Sequence, residues 1–188
     1  MKKFCMSFLI ALLMLFYANG FSAGLHGQTD GSKKSEGISA DFRTQLSEAM
    51  KIYFELEKTI FDGKTKTAAE KAISVQKAFF AVEPGSLPEK LVPGWQEQIR
   101  DLQTATDSLA STEDLFQQRE AFLEVSNVLI AMVKDYGPLD FTLYLYHCPM
   151  AVNAGGHWLT DAEEIANPYF GEEMATCGTL VKKVGAKQ

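Results

Sequence analysis

The chain of 188 residues is short of cysteine, histidine and positive charge, with three cysteines, three histidines, and 18 lysines and arginines against 24 aspartates and glutamates. That balance argues against nucleic acid as a partner, because binding phosphates takes clusters of Lys and Arg. No Cys-x-x-Cys, Cys-x-x-Cys-His, glycine-rich phosphate loop or Gly-x-Ser-x-Gly elbow occurs. Zinc modules of the usual spacing, attached haem, P-loop chemistry and hydrolases with a nucleophile elbow are thereby set aside. Glu48, Glu55 and Glu57 have no Glu-x-x-His to accompany them, which argues against a di-iron bundle site. Beyond the N-terminus no apolar run approaches the about 20 residues that a membrane helix needs.

What is present begins with Lys2 and Lys3, an apolar run from Phe8 to Phe16, and then Ala18-Asn19-Gly20. Small residues at the first and third positions before a cut suit signal peptidase. Residues 1–20 are therefore expected to be a signal peptide cleaved near Gly20, giving a periplasmic protein with no membrane attachment after cleavage. Cys5 stands at the front of the apolar run, not after it, so it is not expected to be a lipoprotein cysteine. Losing Lys2 and Lys3 and no acidic residue takes the formal charge from −6 to −8. The remainder fits one domain with a real core.

Residues 21–37 hold Gly, Ser, Lys and His26 but almost no large apolar side chains, and are expected to form a flexible leader. A single domain follows over 38–185. Phe42, Leu46, Ala49, Tyr53, Leu56 and Ile60 recur at spacings of three and four, the mark of one apolar helix face, with Gly63 as its stop. Thr67-Ala68-Ala69-Glu70 reads as a capping box opening a second helix that buries Ala68, Ala72, Val75, Phe79 and Val82. Pro84, Pro88 and Pro93 then break the pattern. A third helix is expected from Pro93 with Trp95, Ile99, Leu102 and Leu109 inward. A fourth is expected from a Ser111 or Thr112 cap, with Leu115, Phe122, Val125, Leu129 and Met132 inward and Gly137-Pro138 at its end. The fold class is mainly α: an up-down four-helix bundle followed by a small C-terminal segment of short strands and short helices. The aromatic stripe of Phe42, Tyr53, Phe79 and Phe122 reads as core, with no cofactor assigned to it.

After Pro138 the period changes to two, with Phe141, Leu143 and Leu145 alternating against Thr142, Tyr144 and Tyr146, so a short strand runs into Cys148-Pro149-Met150. Ala154-Gly155-Gly156 gives a turn and His157-Trp158-Leu159 a returning strand. Thr160-Asp161-Ala162-Glu163 reads as a capping box for a brief helix ended by Asn167-Pro168. One more turn follows, closed by Gly178.

This motif-bearing segment, 140–178, gathers sulfur. In an extended segment Cys148 and Met150 would face together and His147 away from them; in a helical turn Met174 would stand beside Cys177. Two thiolates with one or two thioethers suit Cu(I) or another soft heavy-metal ion, not magnesium or calcium. The same two cysteines could instead close a disulfide, stabilising the fold by about 3–4 kcal/mol for a loop of about thirty residues. Both readings stand on the spacing. Met150 and Met174 also have a plain reading as core filler, and His147 and His157 as hydrogen-bonded structural residues.

The run Tyr146-His147-Cys148-Pro149-Met150-Ala151, then Gly155-Gly156, Trp158-Leu159, Ile165-Ala166-Asn167-Pro168-Tyr169-Phe170-Gly171, Met174 and Cys177-Gly178 resembles a family of exported bacterial domains of unknown function. That family occurs alone and also fused to the periplasmic adaptor subunits of CusB-type heavy-metal efflux pumps. The resemblance implies a part in copper or other heavy-metal handling, with Cys148, Met150 and Cys177 at the motif positions. The segment is similar also to the Tyr-x-Cys-Pro-Met-His stretches of other metal-efflux proteins, but Ala151 stands where those have histidine.

The expected function is thus a periplasmic heavy-metal binding protein, for copper by its ligand types, that sequesters the ion or hands it to an efflux adaptor. Its metal ligands would be Cys148, Met150 and Cys177, completed by Met174 or His147. The alternative is a disulfide-stapled helical interaction module without metal. No enzyme and no catalytic residue is expected, because His147 should point away from Cys148 along a strand.

Overall fold

A computed structural model describes residues 37–152 and 155–185. The expected signal peptide, nearly all of the leader, and Ala154 of the expected turn lie outside the described residues.

Among the described residues four helices come first: α1 (Ala40–Phe61), α2 (Thr65–Phe80), α3 (Val92–Ala110) and α4 (Leu115–Tyr136). Each packs chiefly on its sequence neighbour, the up-down arrangement that short connections impose. The periodic apolar residues are the core: Phe42, Leu46, Tyr53, Leu56, Ile60, Phe79, Leu102, Leu109 and Phe122 are all fully buried. Tyr53 stacks on Phe122 with ring centres 5.6 Å apart, and Phe42 meets Trp95 edge-on at 5.0 Å. The aromatic stripe is therefore core, as its spacing indicated. Among the described residues no helix is long and apolar enough to cross a membrane.

Two helix starts differ from expectation. The second helix opens at Thr65, two residues before the Thr67 capping box, and its N-cap Lys64 makes no side-chain cap. Gly63, at φ +67°, is the reason: the left-handed conformation reverses the chain at once, and Ala68 N–H then bonds to Lys64 O at 2.8 Å. The fourth helix is capped by Asp114, whose carboxylate accepts from Gln117 N–H at 2.9 Å. Thr112, an expected cap, instead accepts from Asp114 N–H at 3.0 Å and so orients the true cap. At the start of α1, Ser39 accepts from Phe42 N–H at 3.1 Å.

A three-stranded antiparallel sheet follows, made of β1 (Leu143–Cys148), β2 (Gly156–Thr160) and β3 (Thr179–Val184) in the order β2-β1-β3. The third strand was not expected. The brief helix expected from Thr160 is absent: Thr160 is the last residue of β2, opposite Tyr144. Glu163, the other half of that capping box, serves two tyrosines instead, taking hydrogen bonds from Tyr144 OH on its carboxylate (3.1 Å) and from Tyr146 OH on its carbonyl (2.6 Å). The sheet rests on α4 and α1 through β2.

Gly171 seats the C-terminal segment on the bundle. It has φ +62°, and a Cβ there would lie 2.6 Å from Phe61 O and 2.9 Å from Arg119 Nη2. Gly171→Ala is expected to destabilise the fold by about 2–3 kcal/mol, from backbone strain and a clash with a fixed carbonyl. Urea denaturation checks this, and an unchanged midpoint would contradict the packing described.

Candidate functional site

Cys148 ends the central strand on the face carrying Tyr144 and Tyr146, and is fully buried. Its side of the sheet is covered by residues returning from the C-terminal segment. Tyr169 packs so closely over Gly156, the residue opposite Cys148, that a Cβ there would stand 2.8 Å from its ring. Tyr146 stacks on its cross-strand partner Trp158 at 5.4 Å, Trp158 meets Tyr169 edge-on at 5.9 Å, and Tyr169 reaches Phe122 of α4 at the same distance. A continuous line of rings thus ties the sulfur-bearing strand to the bundle.

Cys177 comes from the loop that leads into β3. The chain forms a 3-10 turn at Gly171–Met174, and Cys177 N–H donates to Met174 O at 2.9 Å. Asn167, fully buried, holds this loop: its N–H donates to Ala175 O at 2.9 Å, its side-chain amide to Cys177 O at 2.7 Å, and its side-chain oxygen accepts from Tyr169 N–H at 2.9 Å. Tyr169 OH in turn donates to His157 O at 2.5 Å. Gly178, at φ +144°, lets the chain pass against Trp158 and His147 O, where a Cβ would stand at 3.0 and 3.1 Å. The result brings Cys148 Sγ and Cys177 Sγ to 3.1 Å, both as free thiols, one buried and one half-buried. Their hydrogen bond raises the Cys177 thiol above its ordinary value of 9.0, with burial and the charge of Cys148 adding to it. Forming a thiolate there therefore needs something to displace the shared proton.

The other expected ligands divide. Met174 lies one turn from Cys177 and is half-buried. Met150 does not share the side of Cys148: the strand stops at Cys148, Pro149 and Met150 form the turn beyond it, and Met150 is 61% exposed. Proline has no N–H to continue the ladder, so the period-two argument ends one residue too early to carry Met150. His147 faces away from Cys148, as alternation requires, and stands instead against His157 with ring centres 4.4 Å apart. Burial, followed by the charge of His147, lowers the His157 pKa from 6.5. Among the described residues no three of His, Cys, Asp and Glu come together as a metal cluster.

The sequence also hid a polar group at the sheet–bundle junction. Glu57 of α1 is buried and accepts from Thr160, while Tyr53 OH lies 2.9 Å from Ser126 Oγ and takes Leu159 N–H at 3.4 Å. Glu57 and Tyr53 fall at helical core spacing, and nothing local distinguishes them from a solvated acid and a core ring. Burial first, then the nearby Asp161, pushes the Glu57 carboxyl well above its ordinary 4.5, against the opposing hydrogen bond of Thr160. A carboxyl raised in the folded state stabilises fully below its unfolded value, and that contribution is lost as the pH climbs through the folded value. Stability is therefore expected to fall as the pH rises above 4.5, and Glu57→Gln to flatten that fall. Urea midpoints across a pH series check it; parallel profiles for the two proteins would refute it.

The comparisons with known proteins bear on the bundle and not on the thiols. No curated protein and no solved structure matches the chain. From within α1 to the loop after α4, residues 49–140 match the model of the family described as protein of unknown function (DUF3347), and Cys148 and Cys177 lie beyond the matched stretch.

Proposed function

We propose that this protein binds Cu(I) or a similar soft heavy-metal ion as cargo, in the periplasm, through Cys148 and Cys177. The observation that supports this reading is the meeting of two free thiols, 3.1 Å apart, from segments 29 residues distant in the chain. Thiolates select soft ions. Cys148 supplies a fixed, buried ligand on the central strand, and half-buried Cys177 supplies one that an incoming acceptor can reach. Met174 completes the shell as a thioether in this reading, whereas Met150 and His147 stand elsewhere. Two thiolates about 2.3 Å from a three-coordinate ion lie about 4.0 Å apart, so loading opens the pair by a little under an ångström. Closed sulfur coordination leaves no position for catalysis, which suits sequestration or handover to a heavy-metal efflux adaptor, the role that the motif resemblance implies. Equilibrium competition of the reduced protein against a Cu(I) chelator tests this: one ion per chain is expected, with affinity rising with pH as thiol protons are displaced. Failure to compete at any pH would end the proposal.

A second reading has its own support. At 3.1 Å the sulfurs stand about 1 Å beyond the about 2.05 Å of a disulfide, a gap that a small movement closes. Two-electron oxidation by a thiol oxidant, with loss of both thiol protons, would make the C-terminal segment a stapled docking surface. Thiol alkylation and intact mass on protein taken from its native compartment separate the two. A pair that stays oxidised under mild reductant, with no metal bound, favours the staple.

A further inference from the structure

We propose that His147 and His157 form a second metal site, for a borderline divalent ion such as Ni(II) or Cu(II), on the opposite face of the sheet from the thiol pair. The two residues are direct partners across β1 and β2, so the ladder fixes their spacing before any ion arrives. Their ring centres stand 4.4 Å apart with the planes 34° from parallel. A ring nitrogen about 2.0–2.1 Å from a metal puts the ring centre about 3.2 Å from it, so two imidazoles at right angles about an ion have centres about 4.5 Å apart, and at a tetrahedral angle about 5.2 Å. The observed spacing is the one that the right-angled arrangement has when each ring turns a nitrogen to the ion. Square-planar and octahedral ions of imidazole preference, Cu(II) and Ni(II), take that geometry, whereas tetrahedral zinc wants the wider one.

The surroundings keep the pair in place. Tyr169 OH holds the His157 carbonyl, and the register continues through Tyr146 with Trp158 and Cys148 with Gly156. Gly155, at φ +91°, lies directly against His147: a Cβ there would stand 2.7 Å from His147 Nε2. Only glycine fits there, because any other residue would press its side chain onto the ring. Both histidines are half-buried, so solvent donors can occupy the remaining coordination positions. Strand alternation separates this site from the sulfurs: imidazoles on one face take a borderline ion, thiols on the other a soft one.

Titrating the reduced full chain with Ni(II) alone, followed by calorimetry and by paramagnetic broadening in nitrogen–proton NMR spectra, tests the assignment. One ion per chain is expected, with broadening centred on residues 145–149 and 155–159. His147→Gln and His157→Gln are each expected to weaken binding at least about tenfold, while Cys177→Ser and His26→Gln leave it unchanged. Broadening centred elsewhere, affinity indifferent to both sheet histidines, or affinity lost with Cys177→Ser or His26→Gln would overturn it. The broadening is read on the unsubstituted protein, so it decides the matter even if a histidine variant fails to fold.

Discussion

Trp158→Ala is expected to destabilise the protein by about 3–5 kcal/mol, the cost of emptying a large buried aromatic site. Trp158 is fully buried and sits between Tyr146, on which it stacks, and Tyr169, which it meets edge-on. Gly178 is packed against its outer ring edge. Removing the indole therefore opens the space between the sheet and the loop bearing Cys177, and breaks the line of rings leading to Phe122. Trp158→Phe should cost much less. It keeps most of the ring, and it also removes Nε1, a buried donor with no hydrogen-bond partner among the described residues. An unsatisfied buried donor costs about 1–3 kcal/mol, which the smaller ring offsets against its lost contacts. Urea denaturation of the three proteins measures the difference. Equal losses for Ala and Phe would mean that the site does not hold its partners as described.

Cys177→Ser is expected to lower Cu(I) affinity on the order of a thousandfold, with little change in folding. Serine is nearly the size of cysteine, and Cys177 is held through its backbone: its N–H by Met174 O and its carbonyl by the Asn167 amide. The hydroxyl, however, is a hard donor that a soft ion rejects. Cys148→Ser should lose as much affinity and also some stability, because a hydroxyl would then be fully buried. The split between the two variants is informative. Binding lost in both, with stability lost only in Cys148→Ser, is the pattern of two ligands of unequal burial. A staple gives another pattern: each variant would lose a further, equal stabilisation under oxidising conditions that it does not lose under reducing ones.

The helices were legible because a period of 3.6 marks the buried face at nearly every turn, from Phe42 to Met132. Their starts were less so. A cap is a hydrogen bond between particular atoms, and Thr67, Ser111 and Thr112 carry the right side chains at positions where the backbone does not begin a helix. The false helix at Thr160 failed for a related reason: β1 lay too far along the chain for local reading to see that its tyrosines claim Glu163. Strand β3 left little signal, because Thr179 to Lys183 are all exposed and an edge strand with Lys182 and Lys183 alternates nothing against a core. At the site, alternation separated His147 from Cys148 correctly, and chain spacing set Cys148 and Cys177 apart as the pair to watch. What holds them together was not readable. Asn167 looked like a helix stop before Pro168, yet its side chain bonds across ten residues to Cys177 and across two to Tyr169. Such bonds join loops, and loops carry no period.

The same distinction governs the two metals proposed. One strand bears a sulfur on one face and an imidazole on the other, and each finds its mate on a different segment: Cys177 from the C-terminal loop, His157 from β2. Copper K-edge X-ray absorption of the reduced protein loaded with one equivalent of Cu(I) tests the thiol site most directly. A first shell of sulfur alone is expected, altered by Cys177→Ser and untouched by His147→Gln. A nitrogen or oxygen shell in the unsubstituted protein, or a sulfur shell indifferent to Cys177, would contradict it.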